Sequence, residues 1–165
     1  MFNIGDKIVY PSQGIGVIDD IEEKEFKGEK QAYYTITLYN NNMKLTLPFS
    51  RIETSNMRLV SDSKTLDSRL KQINKFLVDA EELEKINFKE RKTTNELKIK
   101  SGALDDYLEV ICNLTQVKME HNLNSSEKQM LATAKKILIE EISQSKNISS
   151  DEASDLLDIS MSFSN

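Results

Sequence analysis

The stretch Ile8-Val9-Tyr10-Pro11-Ser12-Gln13-Gly14-Ile15-Gly16-Val17-Ile18 constrains this chain more than any other. A short apolar run breaks at a proline, passes Gly14 and Gly16, and resumes as Val17-Ile18. Proline withholds an N–H from a strand ladder, and glycine reaches backbone angles closed to other residues. The pattern predicts strand, tight turn, strand, the opening of a small twisted β-barrel. Nothing later in the chain repeats it. Of the five glycines, Gly5, Gly14, Gly16 and Gly28 come early, and the two prolines are Pro11 and Pro48. Beyond Pro48 the single breaker is Gly102, and so long an absence of helix-breaking residues predicts a helical domain. We therefore expect an α+β chain of two domains, a β module over residues 1–62 and an all-α module over 63–165.

Bulk properties exclude several classes. Cys112 is alone, so there is neither a disulfide framework nor a four-ligand zinc site, which suits a reducing cytosol. No apolar run approaches a membrane span, and the N-terminus lacks the basic-then-apolar order of a signal peptide. The expectation is a cytoplasmic protein with no membrane partner. A net charge of −5 argues against coating nucleic acid through the overall field, so any such contact needs a local patch.

In the β half, strands are expected at Lys7 to Tyr10, Gly16 to Lys24, Gln31 to Leu38 and Met43 to Leu47, with a short last one near Met57 to Val60. Thr35 to Leu38 and Lys44 to Leu47 alternate polar and apolar residues, which turns one face of each to a core. Asn40-Asn41-Asn42 and Lys27-Gly28-Glu29 supply turns. Strands this short, linked by hairpins, predict an SH3- or Tudor-like barrel. Tyr33, Tyr34 and Tyr39 suit either an aromatic cage or the ordinary filling of a barrel core. A small open barrel also leaves an edge strand able to accept a partner's strand, and Lys44 to Leu47, closed off by Pro48, is the candidate.

The helical half reads as about five helices. Leu66, Leu70, Ile73 and Leu77 define the first, with Asp62 or Ser63 as its cap. Leu83 and Ile86 begin a second, which runs through Leu97 and Ile99 to a C-terminal cap at Gly102. The third carries Leu104, Leu108, Ile111, Leu114, Val117 and Met119. Asn124-Ser125-Ser126-Glu127 matches a capping box and launches a fourth. Ser149 or Ser150 opens a last short helix with Leu156, Leu157 and Ile159.

One charge cluster departs from the acidic background. Lys85, Lys89, Arg91, Lys92, Lys98 and Lys100 face only Glu90 and Glu96, a local balance of +4 against −5 for the chain. A solvated helix face explains such a run, and so does a phosphate-binding patch. Phe88, in Ile86-Asn87-Phe88-Lys89, is a core residue on the first reading. On the second it is an aromatic wedge for a base step, flanked by an amide and cations.

Catalysis finds little support. His121 stands at a helix end, Cys112 lies on an apolar helix face, and there is no glycine-rich phosphate loop, Ser-His-Asp order or metal-ligand spacing. Asp105-Asp106 and Glu140-Glu141 are adjacent pairs that point to different helix faces. No catalytic residue, metal, cofactor or small-molecule substrate is expected.

With these residues placed, the chain resembles the CarD/CdnL family of bacterial transcription regulators over nearly its whole length. The segments that carry the resemblance are Ile4-Gly5-Asp6 through Val9-Tyr10-Pro11 to Gly14, and Lys27-Gly28 before Tyr33-Tyr34. The helical half adds Ser101-Gly102, and Ser126-Glu127-Lys128-Gln129-Met130-Leu131 before Ala134-Lys135-Lys136-Ile137-Leu138. The resemblance implies a Tudor-like domain that pairs with the β subunit of RNA polymerase through a strand edge. It also implies a helical domain that touches promoter DNA at the upstream edge of the transcription bubble. There an aromatic wedges into the minor groove and holds the open complex, a shift of equilibrium rather than a reaction.

On this resemblance the polymerase-facing residues are Lys24, Lys44, Leu45, Thr46 and Leu47. Thr46 stands where relatives often carry a basic residue, with Lys44 beside it. The DNA-facing residues are Asn87, Phe88, Lys89, Arg91 and Lys92; Phe88 replaces the family's usual tryptophan, and Glu90 replaces a basic position. Phenylalanine lacks the indole N–H and some area, so a weaker wedge is implied. A small basic patch on an acidic chain suits weak DNA contact by a protein already tethered to polymerase. The competing expectation is a protein–protein adaptor without direct DNA contact.

Overall fold

The computed structural model describes residues 1–162. Five antiparallel strands, β1 (Lys7–Tyr10), β2 (Gly14–Phe26), β3 (Glu29–Leu38), β4 (Lys44–Pro48) and β5 (Arg58–Leu59), form one sheet in the order β4-β3-β2-β1-β5. β4 and β5 do not pair, so the expected barrel stays open at that seam. β2 and β3 join at Lys27-Gly28, both with positive φ (52° and 80°), the two-residue hairpin turn whose twist matches the strands. Asn42, at φ 57°, turns β3 into β4. A four-residue helix, α1 (Ile52–Ser55), precedes β5.

Two cores follow from the side-chain alternation of β1. Ile8 faces a barrel core with Ile18, Tyr34, Ile36, Leu38, Leu47 and Met57. Tyr34 is 1% exposed and stacks on Phe49 with ring centroids 4.2 Å apart, so it fills this core rather than a cage. Val9 faces the other way and joins the helical core with Ile15.

That core belongs to α2 (Ser63–Lys71), α3 (Ala80–Lys85), α4 (Phe88–Ser101), α5 (Leu104–Glu120), α6 (Ser125–Lys146) and α7 (Ser150–Ser160). Among the described residues the helical half thus holds six helices rather than about five; the expected end of its domain, residues 163–165, lies outside them. Two expected helices are shorter than their apolar spacing suggested. α2 stops at Lys71, and Ile73–Phe76 makes a 3-10 turn before Leu77 becomes extended. The chain leaves the helix there because Gln116 holds the Val78 backbone, donating to its C=O at 2.7 Å and accepting from its N–H at 3.2 Å.

The stretch from Leu83 to Ile99 also breaks, because Ile86 is extended and Asn87 starts a new helix. Asn124 caps α6 as expected, but no reciprocal bond from Glu127 completes the box; that carboxylate goes to Arg91. A complete capping box forms instead at Ser149 and Glu152.

The joint between the halves uses the motif that opened the sequence. The Tyr10-Pro11-Ser12 turn sits against Gly102, which has φ 72° and where a Cβ would lie 2.5 Å from Pro11 Cγ. Ser12 N–H donates to Tyr107 Oη at 3.3 Å, and Ile15 N–H to Glu140 Oε2 at 3.4 Å. The fully buried Glu141 accepts from Arg58 through both oxygens, at 2.7 and 2.8 Å, and from Ser61 N–H at 2.8 Å. A fork of this kind fixes orientation as well as distance. One strand end, one turn and three helices therefore meet without a linker between them.

Candidate functional site

Two surfaces stand out, one in each half. In the sheet, β4 pairs with β3 from Thr37↔Lys44 to Tyr33↔Pro48 and, among the described residues, has no strand on its other side. Its alternation is regular: Lys44 and Thr46 are exposed, Leu45 is half-buried and Leu47 is buried in the barrel core. Leu47 therefore offers a partner its backbone rather than its side chain. Lys24 lies further along the hairpin arm, opposite Gln31, with its Nζ 5.7 Å from the Tyr33 ring centroid and 3.7 Å from Glu22. Because Tyr33 pairs with Pro48, Lys24, Tyr33 and β4 are neighbours along one margin of the sheet.

The second surface is the start of α4. Asn87 caps it, its Oδ1 accepting from Glu90 N–H at 2.9 Å. Phe88 follows at the first helical position, is 40% exposed, and belongs to neither core. Lys89 is exposed and Lys92 half-buried, its Nζ 3.9 Å from Glu96. Arg91 departs from the expectation. It is 8% exposed, its Nε donates to Glu127 Oε2 at 2.6 Å, and Glu127 itself is 1% exposed. The expected phosphate contact is thus a charge already answered inside the protein, and its guanidinium carbon lies 5.9 Å from the Phe88 ring centroid. The cluster further divides where Lys98 pairs with Glu109 at 2.7 Å.

Sequence reasoning missed Glu127 and Glu141 as partners of arginines, although a signal was present. Glu127 and Glu141 fall in register with Met130, Ala134, Ile137, Leu138 and Ile142 on the buried face of α6, where a carboxylate needs a reason. α4 carries the matching oddity, burying Arg91, Asn95 and Ile99 at successive turns. Cys112, fully buried, has its thiol pushed up to about 12 by desolvation first and by Glu109 second, which makes it inert. Among the described residues no cluster of His, Cys, Asp and Glu could hold a metal ion, and no helix is long and apolar enough to cross a membrane.

The fold and these surfaces define an α+β protein of two joined domains, one offering a strand edge and the other a helix start. Residues 2–61 match the family model described as the CarD-like/TRCF RID domain, and residues 72–158 match that of the CarD C-terminal domain. A Bacillus subtilis (strain 168) protein described as putative transcription factor YdeB is 43% identical over 148 residues, which covers 90% of this chain and 94% of that one. A solved structure described as CdnLNt from Myxococcus xanthus is 36% identical, covers 32% of this chain and 75% of that one, and superposes with a TM-score of 0.30. The chain belongs to the CarD/CdnL family of transcription factors.

Proposed function

We propose that this protein binds the β subunit of bacterial RNA polymerase through its sheet margin and contacts promoter DNA through the start of α4, stabilising the open complex. On the polymerase side, the backbone of Lys44 to Leu47 accepts a partner strand, while Lys44, Thr46 and Lys24 supply side-chain contacts. The unpaired β4 edge supports this, as does the match of residues 2–61 to the RID (RNA polymerase interaction domain) model.

The observation that carries the DNA half is Phe88. A ring 40% exposed at a helix start, outside both cores, presents an apolar face to a partner. Lys89 and Lys92 hold phosphates on either side, and the amide of Asn87 fixes where the helix begins. Arg91 acts beneath the ring as its support rather than on phosphate. The ring unstacks a base step in the minor groove at the upstream edge of the bubble, so the melted state binds better than the closed one. No bond is made or broken.

The test is open-complex lifetime on a promoter with the wild type and with Phe88→Ala. The variant should shorten the lifetime towards that of polymerase alone while its melting temperature holds. Equal lifetimes would remove the wedge and leave an adaptor without DNA contact. Lys24→Glu combined with Thr46→Pro should abolish co-purification with the β subunit and leave the helical half folded; retained binding would place the docking surface elsewhere.

A further inference from the structure

Below the start of α4, between α4, α5 and the segment after α2, lies a cavity of about 280 Å³ to which the proposed function gives no task. Its floor is polar where a core should be apolar. Asn95 is 2% exposed, and its Nδ2 donates to Asn113 Oδ1 at 3.0 Å. That leaves Asn95 Oδ1 and Asn113 Nδ2, and neither has a hydrogen-bond partner among the described residues. No fully enclosed side-chain N or O atom of the described protein lacks a partner, so both free atoms open onto the cavity that their side chains line. An amide edge that the protein leaves to water is open to a ligand whose donor and acceptor match it and replace that water.

The rest of the cavity suits one kind of ligand. Phe76, Leu77 and Ile86 are apolar lining, and the Gln116 clasp on Val78 holds that segment in place before anything binds. Of the cations lining it, Arg91 is answered by Glu127 and Lys98 by Glu109. Lys75, exposed on the rim, donates to Gln72 Oε1 at 3.2 Å and keeps its charge for an anion. The volume falls just under the roughly 300–1,000 Å³ that holds drug-sized ligands, the scale of one flat ring system.

We propose that Asn95 and Asn113 bind the hydrogen-bonding edge of a nucleobase in this cavity, with Lys75 holding the attached phosphate. Each base presents a donor next to an acceptor on its pairing edge, complementary to the free acceptor of Asn95 and the free donor of Asn113. The base comes either from a free mononucleotide or from a single strand with one base turned out.

The experiment titrates the isotopically labelled full chain with AMP, with GMP and with a single-stranded oligo(dA), following the side-chain amide resonances of Asn95 and Asn113. Saturating movement with the mononucleotides identifies a free nucleotide as sufficient. Movement with the oligomer alone identifies a base delivered by a strand. If neither amide moves in any titration, the proposal fails. Asn113→Asp keeps the acceptor that Asn95 needs but turns the free donor into a second acceptor. Guanine presents two adjacent donors, so the GMP-to-AMP affinity ratio should rise about tenfold; an unchanged ratio overturns the edge assignment. Should that variant not fold, Lys75→Glu on the rim should weaken AMP and leave adenosine unaffected, and equal loss of both would overturn the phosphate contact. These titrations contain no duplex to wedge, so their failure and that of the Phe88 reading are separate events.

Discussion

α6 holds two arginines by the same chemistry at two places, and the outcomes differ. At the joint, Glu141 grips Arg58 with both oxygens and also takes the Ser61 N–H, so each oxygen faces at least one donor from the sheet half. At the bundle end, Glu127 meets Arg91 through one hydrogen bond, and the arginine spends its other side on an exposed ring. The first pair closes an interface between domains. The second pair holds up something that faces outward. A buried ion pair is therefore not one structural device: what it does depends on whether its remaining bonds point back into the protein or toward a surface.

Glu141→Ala removes a fully buried carboxylate and leaves the half-buried Arg58 and the Ser61 N–H without their partner, which should cost about 3–5 kcal/mol, read by urea unfolding. A cost under about 1 kcal/mol would mean the joint holds by apolar packing alone. Glu127→Ala should cost less, about 2 kcal/mol, because Glu127 accepts one hydrogen bond from its arginine where Glu141 accepts three from Arg58 and Ser61. It should also shorten open-complex lifetime, which a purely structural pair would not do once stability is matched by temperature.

Smaller still, Asn87→Ala removes the α4 cap and should cost about 1 kcal/mol in the same unfolding measurement, with the Glu90 amide losing its protection from exchange. The smallest effect tests the joint by pH. Burial raises the Glu140 carboxyl above its ordinary value against the opposing hydrogen bond from Ile15. A raised folded-state value means this group favours the fold below the ordinary carboxylate range and loses that contribution as pH rises through the shifted value. Glu140→Gln keeps an acceptor for Ile15, so it should melt slightly higher than the wild type at neutral pH, and the difference should vanish in acid. A gain that persists in acid would assign it to something other than charge.

Much of the architecture was legible because local chemistry and tertiary structure agree. Pro11, Gly14, Lys27-Gly28 and the asparagine turn mark strand ends through backbone angles that few residues adopt, and β1 runs from Lys7 to Tyr10 as read. Gly102 was legible as a helix cap, with φ 72°. The break at Ile86-Asn87 was not, because Leu83, Ile86, Leu97 and Ile99 mimic one helical period across two helices. Leu97 in fact faces solvent, at 63% exposure. At the candidate site, the sequence supplied Phe88 and the cations but left open whether the ring was core. It also assigned Arg91 outward, since nothing in a linear chain tells that Glu127, 36 residues on, lies against it.

The sequence by itself determined where the chain turns, where the helix breakers end and which faces are apolar, since those depend on covalent limits and on nearest neighbours. Only the tertiary structure decided which charges are free. Which arginine Glu127 and Glu141 each meet is settled only where distant elements come together and exclude water around them. Placement in three dimensions then turns a would-be phosphate contact into the prop beneath an exposed ring, and a helix cap into a seat for a strand turn.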